Sequence, residues 1–362
     1  MNILFVISSA ASGGAEVYVK DLAKALVIRG HSVHIGFLNR AKDYGRSEVF
    51  ELKFLKELSE FGIEYFFIGK HSRILPIIGL LKVRSYVKEN EIDVYHAHLT
   101  HAIGYGAFLR IPRIYTHHSI VIRGSKSLFA LLSNVIESLV GISDLCSKAL
   151  SEHSERPVHT ISNGVDGKKF KRKNSVARTL GKSVNCLAVG RVTEAKNYKL
   201  LIEAILQLPE LDRARLNVCI AGEGPKTDTE ALKNLIASNN LGGSVKLLGN
   251  VTNIPKLMGE SDLFLMSSAW EGLPISLIEA CYAGLPCVVT DVGGCSEVIN
   301  LVENGYVVPA GDAIEFAAKI SEIINSETLY STLSTNAFLG CSNFSIEKAA
   351  ERHEALYQSL LN

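Results

Sequence analysis

The sequence has 362 residues, 47% hydrophobic and 21% charged, with a formal net charge of +1. That balance suits an ordinary globular chain of two domains. It excludes a membrane-spanning helix, because no run approaches the roughly 18 consecutive apolar residues a span needs. The seven cysteines are scattered without a C-x-x-C, which points to reduced thiols in the cytosol rather than a disulfide framework or a zinc site. The opening "MNILFVISSAASGG" has no basic leader and reads as a first strand, not a signal peptide.

The spacing of apolar residues predicts an alternation of strands and helices. "NILFVIS" is a strand, followed by the helix "GGAEVYVKDLAKALVIRG", in which Val17, Leu22, Ala25 and Leu26 repeat at helical spacing and Gly30 ends the run. Next come strand "SVHIGFL", helix 47–61, strand "IEYFFIG", helix 77–90 and strand "VYHAHL". Strand "RIYTHHS", helix 127–138, strand "LVGIS", helix 144–153 and strand "VHTIS" complete a first series. The basic stretch "NGVDGKKFKRKNS" at 163–175 is the candidate linker. The rhythm restarts with "NCLAVG", helix 197–207, "NVCIAG", helix 229–238, "VKLLG" and "DLFLMS". A helix bearing two glutamates, "PCVVTD", "GYVV", helix 312–325 and a closing helix at 345–361 follow. This predicts two doubly wound α/β domains, residues 1–165 and 166–345, with 346–362 returning to the first, and a ligand crevice at the carboxyl ends of the strands.

Charge is uneven. Residues 1–165 carry 19 Lys+Arg against 15 Asp+Glu, and the remainder carries 19 against 22. Ten of the eleven histidines also lie in the first part. A mildly basic first domain suits an anionic partner such as a phospholipid surface or a lipid-linked phosphate. No basic stripe with interleaved aromatics suggests nucleic acid.

The loops after the strands carry the distinctive residues. Arg191 and Lys196 follow "NCLAVG", and Glu223, Gly224 and Pro225 follow "NVCIAG". After "DLFLMS" comes "AWEGLPISLIEA", with Glu271 just ahead of a helix and Glu279 on it, eight residues apart. Pro274 suits the first helical position, where no N–H is needed, Gly272 permits close approach of a ligand, and Gly284 suits the helix end. The free amides of Ile275 and Ser276 then make an anion site for a diphosphate, with Arg191 as a two-pronged and Lys196 as a point countercharge. Gly13 and Gly14 open the first helix as a second phosphate-friendly turn. Taken alone, Glu271 equally fits a complement to the helix dipole, worth about 0.3–1 kcal/mol. Neither G-x-G-x-x-G nor G-x-x-x-x-G-K-[ST] occurs, which argues against dinucleotide-dependent dehydrogenases and P-loop enzymes.

Together "GRVTEAKN", "AGEGP", "EGLPISLIEA", "TDVGGCSEVI" and "NGVD" resemble the retaining glycosyltransferases of family 4, which have the GT-B fold. The resemblance is densest over residues 161–310, and its hallmark is a glutamate pair with seven residues between. It implies that Arg191 and Lys196 bind the donor diphosphate and that Glu279 accepts from the nucleotide ribose. It also implies that Glu271 holds donor-sugar hydroxyls, while Gly272, Leu273, Pro274 and Ile275 complete the cradle beside Glu223. Gly13 and Gly14 match the family's glycine turn. Of His117 and His118 in "YTHHS", the family pattern favours His118, near the reacting face of the sugar, and His98 is a secondary candidate for acceptor contact. His96, His98 and His101 form H-x-H-x-x-H, an imaginable metal site. The resemblance implies no metal and no cofactor, and the absence of D-x-D agrees.

The reading is sugar transfer from a nucleotide-sugar, a UDP-sugar for preference, to a glycan or lipid-linked saccharide, with retention, in cell-surface polysaccharide assembly. The alternatives are a GT-B nucleotide-sugar epimerase and a catalytically degenerate sugar-nucleotide-binding partner subunit. A cytoplasmic protein at the inner face of the membrane is expected. "IVIRGSKSLFALLSNVIESL" at 120–139, with Arg123, Lys126, Leu128, Phe129, Leu131 and Leu132, is read as an interfacial helix or, equally, as a core helix behind a polar loop.

Overall fold

The computed structural model describes residues 1–11, 13–122, 125–170 and 180–362. Arg123 and the end of the candidate linker, 171–175, lie outside the described residues. The chain divides into two compact units, Met1–Asp166 with Phe344–Asn362, and Gly167–Asn343.

The first unit runs β1 (Asn2–Ile7), α1 (Gly14–Ile28), β2 (Ser32–Phe37), α2 (Glu48–Glu60), β3 (Glu64–Phe67), α3 (Pro76–Glu89), β4 (Val94–Ala97) and α4 (Thr100–Ile103). It continues with β5 (Arg113–His117), α5 (Lys126–Ser133), β6 (Ser138–Gly141), α6 (Asp144–Ser151) and β7 (Val158–Thr160). The second unit runs β8 (Val184–Val189), α7 (Tyr198–Gln207), α8 (Glu210–Arg215), β9 (Leu216–Ala221), α9 (Lys226–Ser238), β10 (Val245–Gly249), α10 (Ile254–Gly259) and β11 (Leu263–Met266). It ends with α11 (Ile275–Tyr282), β12 (Cys287–Thr290), α12 (Cys295–Val302), β13 (Gly305–Val308), α13 (Ala313–Ile324) and α14 (Glu327–Gly340). Helix α15 (Ile346–Leu361) closes the chain.

Both sheets are parallel. Their orders are β3-β2-β1-β4-β5-β6-β7 and β10-β9-β8-β11-β12-β13. Residues Ile3 to Val6 of β1 and Cys287 to Val289 of β12 are buried throughout, as strands covered on both faces must be. In each sheet the strand order reverses once, between β1 and β4 and between β8 and β11. In doubly wound sheets such switch points are where ligands bind, outside the strand carboxyl ends.

After the second unit the chain returns beside its point of departure. Val165 N donates to Phe344 O at 2.9 Å, and Ile346 N donates to Val165 O at 3.0 Å. Helix α15 then packs on α1 within the first unit, burying Ile346, Ala350, His353, Leu356 and Tyr357.

Three expectations are corrected. The helix expected over 127–138 stops at Ser133, where the Ser133 hydroxyl donates to Ala130 O and pairs with Ser154. The apolar residues Val135 and Ile136 that extended the pattern are core contacts on the way into β6. Pro274 is the N-cap of α11, not its first helical residue. Its extended ψ of 115° lets its carbonyl accept from Leu277 N at 3.1 Å. Helix α9 starts at Lys226 directly after Pro225, three residues before the expected 229.

Candidate active site

In the second unit the switch point gathers residues from two loops. Strand β8 leads into Arg191 and Lys196, and β11 leads into Glu271. The first loop is held by its neighbours. Gly190 N donates to Ala221 O at 2.9 Å, Val192 N to Glu223 O at 3.1 Å, and Tyr198 Oη to Gly190 O at 2.9 Å. The Ser267 hydroxyl reaches the carbonyls of Lys196 and Asn197, each at 3.1 Å, and Ala269 N donates to Ala195 O at 2.8 Å. The loops after β8 and β11 are therefore stitched to each other through their backbones.

Their side chains meet as well. Lys196 Nζ donates to Glu271 Oε1 at 2.5 Å, and the Ser268 hydroxyl donates to the same oxygen at 2.6 Å. Both ion-pair partners are mostly buried, with side-chain exposures of 19% and 13%. A pair this sheltered is screened far less than a surface salt bridge. The Glu271 carboxylate is thus held from two sides, by Lys196 and by Ser268. Arg191 and Glu223 are exposed, on loops tied by the Val192–Glu223 backbone bond.

Helix α11 starts four residues after Glu271. Leu277 and Ile278 both donate to Pro274 O, so the amides of Ile275 and Ser276 precede the helical ladder and lie at its positive end. Leu273 and Pro274 are buried and Gly272 and Ile275 half-buried. Glu279 is half-buried one turn along the helix. Gly294 N donates to Gly272 O at 2.6 Å. Gly293 has φ +56, and a Cβ there would lie 2.2 Å from Glu271 O, so only glycine permits this contact.

In the first unit, Gly13 is the N-cap of α1 and Gly14 its first residue. Glu16 folds back over the turn, and a Cβ on Gly13 would meet Glu16 Oε2 at 2.1 Å. The Glu16 carboxylate accepts from Ser8 Oγ at 2.6 Å and from Arg46 at 3.1 Å. The turn is therefore occupied by a carboxylate of its own chain.

His98 follows β4 and His118 follows β5, on adjacent strands. Their rings stack at 5.3 Å, with His98 Nδ1 3.0 Å from His118 Nε2. Burial, then the neighbouring His117 and His353, pushes His118 down to about 3, and burial holds His98 well below the usual histidine range. Both are neutral at physiological pH. His96 is enclosed between Tyr357 and Thr116. His101 stands exposed on α4 near Arg73, away from the buried imidazoles. Among the described residues no three His, Cys, Asp or Glu groups converge as a metal site requires.

Sequence reasoning overlooked Ser268, Glu16 and His353. Ser268 stands three residues before Glu271, and Glu16 stands two after the glycine pair, so both were within reach of loop chemistry. His353 lies 335 residues from its hydrogen-bond partner Tyr18, and no local pattern carries that distance.

Residues 12–169 match the family model described as Glycosyltransferase Family 4, and residues 170–339 match that of glycosyl transferases group 1. The N-acetyl-alpha-D-glucosaminyl L-malate synthase of Bacillus anthracis is 24% identical over 96% of this chain and 94% of its own. The Campylobacter jejuni GalNAc-alpha-(1->4)-GalNAc-alpha-(1->3)-diNAcBac-PP-undecaprenol alpha-1,4-N-acetyl-D-galactosaminyltransferase is 26% identical over 100% of this chain and 99% of its own. The crystal structure of Anabaena HepE in complex with UDP-glucose aligns with a TM-score of 0.82 at 24% identity, covering 99% of this chain and 100% of that one. With two parallel, doubly wound units and these matches along nearly its whole length, the chain belongs to the family 4 glycosyltransferases and has their GT-B fold.

Proposed function

We propose that this glycosyltransferase takes its sugar from a UDP-sugar and passes it, with retention and without a metal, to a glycan or lipid-linked saccharide in cell-surface polysaccharide assembly. The Lys196–Glu271 pair at the second switch point carries the reading. Breaking the anomeric C–O bond leaves charge on the departing diphosphate. Lys196, Arg191 and the first amides of α11 supply positive charge where it accumulates, and a single preorganised donor of this kind is worth roughly 10²–10³ in rate. Glu271, already oriented by Ser268, turns to a donor-sugar hydroxyl as Lys196 takes a phosphate oxygen. Glu279, on the same helix, accepts from the ribose, and His118 is assigned a sugar hydroxyl. The names of the relatives support the acceptor class, since the Campylobacter enzyme's includes an undecaprenol diphosphate saccharide. The HepE crystal structures in complex with UDP and with UDP-glucose support the donor.

A panel of nucleotide-sugars, each followed for release of nucleoside diphosphate with and without EDTA, tests this. Slow hydrolysis of one UDP-sugar, unchanged by EDTA, is expected. An epimerised nucleotide-sugar would make the protein an epimerase, inertness toward the whole panel would make it a binding subunit, and loss on chelation restored by manganese would overturn metal independence.

Weak attachment of the first unit to an anionic membrane surface belongs to the same proposal. Among the described residues no helix is long and apolar enough to cross a membrane. Of the stretch 120–139, Leu128, Leu131 and Lys126 are exposed but Phe129 is core. The approach to α3 is the better candidate. Ile74, Leu75, Ile77 and Leu81 are 55–79% exposed, beside exposed Lys70, Arg73, Lys82 and Arg84, with no acid between Glu64 and Glu89. Basic residues near such a surface contribute about 1 kcal/mol each. Cosedimentation with phosphatidylglycerol vesicles should be strong at low salt, fade at high salt, and weaken about tenfold in Ile77→Ser/Leu81→Ser. No binding at low salt, with efficient transfer to a small soluble sugar, would contradict it.

A further inference from the structure

We propose that His98 is a positioning residue for His118: the two imidazoles act as one hydrogen-bonded unit whose open end, His118 Nδ1, is completed by a sugar hydroxyl. This rests on the reading that His118 meets the sugar.

The chemistry of the pair is constrained by counting protons. Two neutral imidazoles 3.0 Å apart at His98 Nδ1 and His118 Nε2 share one N–H between those atoms. Either His98 donates, leaving His118 with Nδ1–H and His98 with a bare Nε2, or the roles reverse. In both cases the outer nitrogens, His98 Nε2 and His118 Nδ1, are left over. Each is buried without a hydrogen-bond partner among the described residues. His117 Nε2 and His353 Nδ1 are likewise buried without one. Leaving a buried donor or acceptor unpaired is costly, so these open nitrogens are places where a ligand group could bond, and His118 Nδ1 is the one assigned to the sugar.

The neighbouring His96 shows that the fold can close an imidazole when it has no ligand to receive. Its Nδ1 lies 2.8 Å from Tyr357 Oη and its Nε2 2.7 Å from Thr116 Oγ1. The Tyr357 phenol is buried and has this one acceptor among the described residues, so it donates to Nδ1. The proton of His96 then sits on Nε2 and goes to Thr116. Helix α15 therefore fixes the tautomer of His96 and leaves the His98–His118 pair undetermined.

Packing fixes where the pair points. Phe5 stands edge-on to both His96 and His98, at 5.5 and 5.2 Å. His96 lies 4.2 Å from His98. The Tyr18 ring closes on His118 at 6.0 Å, and its hydroxyl is held by His353 of α15 at 3.1 Å. The rings cannot turn freely, so a ligand is matched by moving the shared proton rather than by moving a side chain. A hydroxyl both donates and accepts, and it satisfies His118 Nδ1 in either arrangement. A phosphate only accepts, and it would force the proton onto Nδ1. The undetermined polarity is thus suited to a carbohydrate.

Nitrogen-15 NMR on the full chain with labelled histidine tests this. A coupling across the hydrogen bond between His98 Nδ1 and His118 Nε2, present in the wild type at pH 7, is expected, and its absence overturns the proposal. His98→Leu should shift the His118 tautomer signals and lower kcat about 10- to 100-fold, the scale of a misplaced reacting group, with donor KM nearly unchanged. His98→Asn, whose amide can stand where Nδ1 stood, should recover most of kcat. Equal losses in the two variants with unaltered His118 signals would reduce His98 to packing. If His118→Ala keeps full turnover while the coupling is present, the role of His118 fails and the pairing itself stands.

Discussion

Lowering the pH from 7 to 5 should unfold the first unit before the second loses structure. All eleven histidines fall in Met1–Asp166 and Phe344–Asn362, because α15 brings His353 back to the first unit. Burial pushes His118 and His353 down to about 3 and His117 down to about 4. In the unfolded chain each would titrate near 6.5. Between those values the unfolded state binds protons that the folded state refuses, so stability is complete above about pH 6.5 and falls as the pH drops toward 3. At pH 5 each such histidine costs about 2 kcal/mol, and the three together about 6 kcal/mol. His96 and His98 shift the same way. A domain is stable by only about 5–15 kcal/mol. Hydrogen exchange read by mass spectrometry at pH 7, 6 and 5 would show protection lost first from β1, β4, β5 and α15. Fluorescence of Trp270, the one tryptophan and a residue of the second unit, should lag behind. Full protection of the first unit at pH 4.5 would contradict the buried neutral histidines.

Lys196→Ala should lower kcat/KM for the UDP-sugar by about 10²–10³ while the fold survives. The lysine has one strong partner, Glu271, and that carboxylate keeps the Ser268 hydroxyl after the substitution. The pair is mostly buried, so losing the lysine should lower Tm by several degrees, with the remaining Ser268 bond keeping Glu271 partly compensated. The catalytic loss is larger because the ammonium does its work on charge that appears only as the diphosphate leaves. Lys196→Arg should rescue little: a planar fork does not reproduce a compact point charge held 2.5 Å from one carboxylate oxygen. Wild-type kcat/KM in Lys196→Ala would remove the lysine from the diphosphate site.

Much of this was legible in the sequence. Strand and turn chemistry located the loops after β1, β8 and β11, and the residues at these strand ends need only local spacing to be noticed. The helices α8, α10, α12 and α14 were not legible. Helices α8 and α10 are six residues each, too short for a 3.6-residue period to emerge. Helix α14 carries Thr332 and Thr335, whose hydroxyls donate back to the carbonyls of Thr328 and Ser331, and its apolar stripe is thin. The stretch 127–138 failed for the opposite reason: apolar residues of a helix and of the approach to the next strand run together without a break. Loop identity pointed to Glu271, but the Lys196–Glu271 pairing depends on two strands 75 residues apart becoming neighbours in the sheet. The same holds for His353 on Tyr18, a contact made only when the last helix returns.

Calorimetric titration of UDP and of the active UDP-sugar into the wild type, Lys196→Ala and Glu271→Gln most directly tests the division of labour between phosphate and sugar. Lys196→Ala should weaken both ligands by tenfold or more, since a charge-assisted hydrogen bond contributes about 1.5–3 kcal/mol. Glu271→Gln should leave UDP affinity near the wild-type value and abolish the extra affinity that the sugar confers. Unchanged binding of the UDP-sugar in both variants would contradict a donor site built on the Lys196–Glu271 pair.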